Sequence, residues 1–318
     1  MKLFNIIIPL VIICSSCAKN ENVRFAICAD VHQDIIHDAP RRIRTFVEEA
    51  NNANVDFIIQ LGDFCFPIEE NKPFIEEWNN FPGHKCHVLG NHDMDVCSKQ
   101  EVMVFWGMKQ AYYSFDQGAF HFIVLDPNYF VEEGRFIDYE GGNYFAHTKT
   151  RATIPPTQLE WLKKDILQTD KLVVIFAHQN MEGNSGVNNQ LEIRKLFEEA
   201  NVPKTKVIAC FSGHDHDDQH TEINGIHYIR INSMSYEWVG SKYQYKERFA
   251  EEIDKYRPAL KYTLPYEKPV FAIVEIDPDG LLTVKGKQGA YVLPGPDDLN
   301  VKVDYQLSPS ISDRSLNY

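Results

Sequence analysis

Val207-Ile208-Ala209-Cys210-Phe211-Ser212-Gly213-His214-Asp215-His216 reads as a buried strand that ends in two histidines. Its first five residues are apolar and rich in β-branched types, as in a strand covered on both faces. The run stops at Ser212-Gly213, and two imidazoles then stand within three residues. Histidines so close together at a strand end seldom serve packing. They point to a bound ion or a reacting group.

Four upstream stretches are built the same way. Residues 23–29 lead into Asp30-Val31-His32, and residues 57–61 into Gly62-Asp63. Residues 87–89 lead into Gly90-Asn91-His92-Asp93, and residues 172–177 into His178. Each is weak alone: a single strand-end His is commonly just hydrogen-bonded, and Gly-Asn also starts turns. Five in order, each behind a strand, make incidental packing a poor account. In open α/β sheets the carboxyl edge is where ligands bind. Mixed oxygen and imidazole donors suit Zn, Mn or Fe rather than Ca. They are too many for one ion, and two metals sharing a carboxylate would use them all.

The rest of the chain alternates helices and strands first and hairpins later, which predicts α/β layering with mixed sheets. Helices are expected at 40–54, where Ile43, Phe46, Val47 and Ala50 share a face, at 157–168 and at 189–200. Hairpins are expected at 112–125 and at 223–231, turning at Asn224-Gly225, and around Asp277-Pro278-Asp279-Gly280. Residues 127–155 read as a long loop and candidate lid. Residues 233–268 give no clear pattern, although Ser233 to Gly240 is a candidate wall of the cleft. The organisation expected is one domain over 23–290 and a polar tail over 291–318.

With 44% hydrophobic residues in 318, there is enough apolar material for a core, which excludes a disordered chain. The net charge of −13, from 32 basic and 45 acidic residues, excludes a nucleic-acid polymer as a stable partner. Small anions remain open, because a metal supplies positive charge locally. Met1, Lys2, an apolar run over 3–13 and Cys14-Ser15-Ser16-Cys17 describe a signal peptide, too short for the roughly 20 residues of a membrane span. The stretch resembles a bacterial lipoprotein box, in which Cys17 is acylated and becomes the first mature residue. Cys14 departs from it, standing where such boxes usually carry Leu. The expectation is a signal over 1–17, a tether over 18–22, and a lipid anchor in the periplasm or at the cell surface. Simple cleavage to a soluble secreted protein is the alternative. Cys28, Cys65, Cys86, Cys97 and Cys210 are left, an odd number, so complete pairing is impossible. A Cys86–Cys97 bridge stays open.

The ordered motifs resemble the calcineurin-like metallophosphoesterase superfamily, whose pattern is D-x-H, G-D, G-N-H-D/E, a lone H and G-H-x-H. The resemblance covers residues 23–217. It implies a four-layer α/β/β/α sandwich of two mixed sheets, with a dinuclear metal site at the strand C-terminal ends. It places Asp30, His32 and His216 on one divalent ion, Asn91, His178 and His214 on the other, and Asp63 between them. The ions would be Mn, Fe, Zn or Mg. A metal-bridging hydroxide would attack phosphorus. His92 would protonate the leaving oxygen or stabilise the transition state, support of a ligand being its blander reading.

Departures from the family narrow the subclass. Phe66 stands where Ser/Thr phosphatases carry the Asp that orients the catalytic His, and where purple acid phosphatases carry an iron-binding Tyr. Both subclasses are therefore disfavoured. Asp93 and Asp95 are the candidates for orienting His92. The Asn-His-Asp ending resembles a bacterial branch of phosphodiesterases, monoesterases and nucleotide pyrophosphatases. Asp126, Arg135, Arg151 and Tyr236 are candidate substrate contacts, with Tyr129, Tyr144, Phe145 and His147 on the same long loop as the arginines. His84 and His87 are expected to be structural, and His121, His220 and His227 match no motif. The function expected is an exported phosphohydrolase of small phosphodiesters or phosphomonoesters, with no protein partner implied. The alternatives are a nucleotide pyrophosphatase and a non-catalytic surface binding module on the same fold.

Overall fold

The computed structural model describes residues 22–303 and 305–318; the signal segment with Cys17 and most of the tether lie outside them. The first half runs β1 (Val23–Cys28), α1 (Ala39–Asn52), β2 (Phe57–Gln60), α2 (Lys72–Asn79), β3 (His84–His87) and α3 (Lys99–Trp106). A hairpin follows, β4 (Tyr113–Gln117) and β5 (Phe120–Val124), then a second, β6 (Tyr129–Glu132) and β7 (Arg135–Asp138). Next come α4 (Pro156–Gln168), β8 (Leu172–Phe176), α5 (Gln190–Ala200), β9 (Val207–Ser212), β10 (Gln219–Ile223) and β11 (Ile226–Arg230). The chain ends with β12 (Tyr236–Trp238), α6 (Glu251–Tyr256), β13 (Thr263–Pro265), β14 (Ala272–Asp277), β15 (Leu281–Gly286) and β16 (Arg314–Asn317).

Two mixed six-stranded sheets result, ordered β16-β15-β14-β1-β2-β3 and β10-β11-β9-β8-β5-β4. Within them β1, β2 and β3 run parallel, as do β5, β8, β9 and β11. The alternation along each strand sets the layers. Phe25, Ile27, Phe57 and Ile59 meet Phe122, Val124, Val174 and Phe176 between the sheets. Ala26, Cys28 and Ile58 face the other way, onto Ile43, Phe46 and Val47 of α1 and Trp78 of α2. On the second sheet Ile123, Val173 and Ile175 face Leu162 and Ile166 of α4 and Ile193 and Phe197 of α5. This is the four-layer α/β/β/α sandwich. The inter-sheet layer is dominated by phenylalanines: Phe25 stacks on Phe57 at 4.8 Å and meets Phe176 edge-on at 5.7 Å. Each fully buried Phe contributes roughly 1.5–3 kcal/mol, so this layer fixes how the sheets, and hence their carboxyl edges, sit together.

Several expectations are corrected. The third strand is His84–His87, not 87–89, because its ladder with β2 pairs Phe57 with His84 and Gln60 with His87. Val88 and Leu89 are still buried and carry the chain on toward the cleft. Residues 127–155 are not one loop: they hold the β6–β7 hairpin and a short helical turn at Asn143–Ala146. Residues 291–318 are not a detached tail. Ile311 is buried between the sheets and Arg314–Asn317 pairs with β15. All five described cysteines are free thiols, so Cys86 and Cys97 form no bridge; the Cys97 thiol donates to the Asp93 carbonyl at 3.3 Å. Among the described residues no helix is long and apolar enough to cross a membrane.

Candidate metal centre

Because β1, β2 and β3 are parallel, and β8 and β9 likewise, their carboxyl ends converge along one edge of the sandwich. Asp30, His32, Asp63, Asn91, His92, His178, His214 and His216 all follow these strands. The segments turn sharply there: Asp30, His32, Asp63, His214 and His216 have φ between 50 and 73°. Such left-handed backbone costs non-glycine residues about 1–3 kcal/mol each and concentrates at functional sites.

The loops carrying Asp63 and His92 are clamped together by Asp93. Its carboxylate accepts from the backbone N–H of Gly90 (2.7 Å), Asp63 (3.0 Å) and Phe64 (2.7 Å). The approach is so close that a Cβ on Gly90 would run into the backbone and carboxylate of Asp63. Gly62, at φ 101°, lies against the His178 ring in the same way.

Two groups of potential ligand atoms result, each lying within 4.8 Å of one another: Asp30, His32 and His216, and Asp63, His178 and His214. In the first, His216 Nε2 lies 3.2 Å from His32 Nε2 and 3.4 Å from Asp30 Oδ1. In the second, His178 Nε2 lies 3.2 Å from His214 Nδ1 and 3.1 Å from Asn91 Oδ1. Asp63 Oδ2 stands between the groups, 3.2 Å from His178 Nε2 and 3.7 Å from His32 Nε2.

The donor set fits two cations. His178 Nδ1 donates to the Leu61 carbonyl at 2.7 Å, and His216 Nδ1 to the Tyr236 carbonyl at 2.9 Å. In the neutral ring this turns the Nε2 lone pair of each toward carboxylate, amide and imidazole acceptors, an arrangement that a cation resolves. The titration behaviour agrees. Burial works against charge on His178, but Asp63 and Asp30 lift it to about 10. Burial likewise opposes charge on His216, and Asp30 raises it on balance. Burial, helped by neighbouring imidazoles, holds His32 down at about 3 and His214 at about 4. Each group therefore pairs a lone-pair donor with a carboxylate that demands positive charge.

His92 stands beside these groups with its backbone N–H on Asp63 Oδ1 at 2.8 Å. Its Nδ1 pairs with Asp95 Oδ2 at 2.8 Å. Tyr144 ties this pair together, donating to Asp95 Oδ1 at 2.6 Å and accepting from Asn91 Nδ2 at 3.2 Å. Of the two candidates for orienting His92, then, Asp95 makes the contact and Asp93 serves the loops. Burial disfavours the His92 imidazolium, yet Asp63 and Asp95 raise it to about 9.

A cavity of about 520 Å³ opens on His32, Asp63, His92, His214 and His216, walled by Phe145, Tyr236, Trp238 and Tyr305. Tyr236 and Trp238 come from the segment 233–240, whose Ser233 and Ser235 hydroxyls hold the Asp30 and Val31 carbonyls at 2.8 Å. Arg151 lines a second cavity beside the first. Asp126 and Arg135 lie elsewhere: Asp126 is buried against Lys99 Nζ at 2.6 Å, and Arg135 is exposed on the β6–β7 hairpin. Sequence reasoning missed Tyr305, which sits in a polar stretch without any motif. It also left Tyr144 as one aromatic among several.

The sequence pattern of the calcineurin-like phosphoesterase family matches residues 23–218. No curated protein matches the chain. Among solved structures, a dimetal phosphatase from Danio rerio superposes with a TM-score of 0.63 at 16% identity, over 93% of this chain and 99% of that one. A purple acid phosphatase from yellow lupin (Lupinus luteus) seeds gives 0.53 at 12% identity, over 93% of this chain and 54% of that one. The anchor of the Plasmodium inner membrane complex gives 0.51 at 16%, over 93% and 89%. At these identities the superpositions speak for the fold. The chain belongs to the calcineurin-like phosphoesterases, hydrolases of phosphate esters that use two divalent metal ions.

Proposed function

We propose that the protein is an exported, lipid-anchored phosphohydrolase of small phosphate esters, with Asp30, His32 and His216 on one ion and Asn91, His178 and His214 on the other. Asp63 would contact both. The observation carrying this is Asp63 Oδ2, set between two groups whose lone pairs face one another. Two such ions supply an activated water and positive charge for the phosphoryl oxygens. The chain's own residues do the rest. His92, held by Asp95 and Tyr144, presents its other ring nitrogen toward the cleft and protonates the leaving oxygen. Phe145, Tyr236 and Trp238 wall the cavity into which His92 opens.

Export rests on the signal-like residues 1–17 and the anchor on Cys17. Cys17→Ser is expected to release the protein from the membrane fraction; a variant that stays there counts against the anchor. The activity is tested by paired assays of a nitrophenyl monoester and a bis-nitrophenyl diester with added Mn²⁺, Zn²⁺, Fe²⁺ or Mg²⁺, alongside elemental analysis. Turnover with two metals per chain is expected. No turnover with any ion would remove the hydrolase reading and leave a binding module.

A further inference from the structure

Beside the aromatic cavity lies a smaller polar one of about 170 Å³, and His214 lines both. Asn91 also borders the smaller one, so it opens on the Asp63–His178–His214 group. Its outer wall carries Lys149 and Arg151. Among the described residues neither side chain has a carboxylate partner. The Arg151 guanidinium instead lies 5.8 Å from the centre of the Tyr144 ring. In a chain with 45 acidic residues, two unneutralised cations on one small cavity call for an anion. Among the described residues no lysine or arginine lines the larger cavity.

The wall is built rather than loose. Asn188 holds it twice, its N–H on the Ala152 carbonyl at 2.7 Å and its Nδ2 on the Lys149 carbonyl at 2.9 Å. Tyr139 Oη accepts from the Ala152 N–H at 2.7 Å.

We infer that this cavity is a substrate subsite for a second anionic group, phosphate or carboxylate, held by Arg151 and Lys149. This rests on the phosphohydrolase reading and narrows it to small esters carrying two anionic ends. Arg suits such a group because its planar fork grips two oxygens at once.

The test compares kcat/KM of the metal-loaded protein for fructose bisphosphate against fructose monophosphate, and for phosphoglycerate against glycerol phosphate. A preference in the first pair identifies a phosphate, and in the second a carboxylate. In Arg151→Ala the preference is expected to fall roughly tenfold to a hundredfold, the scale of one charge-assisted hydrogen bond, and Arg151→Lys to recover part of it. Lys149 is exposed, so Lys149→Glu supplies a variant whose folding is not at stake, and the preference should fall there too. Calorimetric titration gives a readout independent of turnover: propane bisphosphonate should bind more tightly than propyl phosphonate, and Arg151→Ala should narrow the gap. Turnover of the singly charged esters with no preference in either pair would overturn the subsite and leave the hydrolase standing. No turnover of any ester would take both.

Discussion

Asp95 Oδ2 lies 2.8 Å from His92 Nδ1, three residues on, across one short helical turn. The turn folds the carboxylate back over the imidazole, and Tyr144 fixes its other oxygen. This local pair does the work that Phe66 is unable to do. Asp95→Asn is therefore expected to lower kcat roughly tenfold to a thousandfold, within the reach of general acid–base catalysis, with both metals retained. The sign of the pH effect follows from Asp95, whose hydrogen bond and charge raise the His92 pKa against the effect of burial. Removing the Asp95 charge lowers it, so the alkaline limb of kcat against pH should move to lower pH. An unmoved limb would mean that His92 does not set it.

Among the described residues Asp63 is the one carboxylate placed between the two groups of potential ligand atoms. Burial alone would raise its pKa, but the His178 and His92 charges hold it well below the usual carboxylate range, so it is ionised and ready to bind. Asp63→Asn should remove more metal than Asp30→Asn, because Asp30 offers a ligand atom to one group only and reaches the other through the His214 backbone N–H. Elemental analysis after gel filtration checks this. Two ions retained by Asp63→Asn would end the bridging assignment.

Gly90 has no room for a side chain, because Asp93 draws its loop against Asp63. Gly90→Ala must push the two loops apart. Overpacking of this kind costs roughly 1–3 kcal/mol, and here the displaced residue is the shared carboxylate. Tm should fall and the metal content should drop with it. A variant that keeps two ions and the parental Tm would show that the loops have slack.

The convergence of these side chains was legible in the sequence because parallel strands end on one edge. A motif that follows each apolar run needs no further information to arrive there. What lay beyond that edge was legible only in part. Asp93 and Asp95 are equivalent as letters, and only the turn at His92–Met94 brings the second over the ring while the first faces three backbone N–H groups. The helix α3 did carry a signal, since Ser98 and Glu101 form a capping box before it. The helix α2 carried little: eight residues with Phe74, Ile75 and Trp78 buried are too few for a period. The edge strand β16 offers a single apolar side chain, Leu316, to the inter-sheet core and an Arg314–Asp218 ion pair, too little to read as a strand in the sequence.

Glu237 is buried in the wall of the aromatic cavity, with Oε1 lacking a hydrogen-bond partner among the described residues. Burial raises its pKa from 4.5 to about 8, against the pull of His216 and the Tyr266 hydroxyl. The folded state thus holds a proton that the unfolded chain releases near pH 4.5. Stability falls with pH wherever the native state binds more protons. Below pH 4.5 the group is neutral in both states and contributes nothing; from there to about pH 8 it destabilises progressively, and above that the loss is complete. Glu237→Gln keeps the shape and removes the ionisation. In chelator-treated protein its Tm should match the parent near pH 4.5 and exceed it increasingly toward pH 8. Parallel Tm curves would mean that Glu237 ionises in the folded protein as freely as in water.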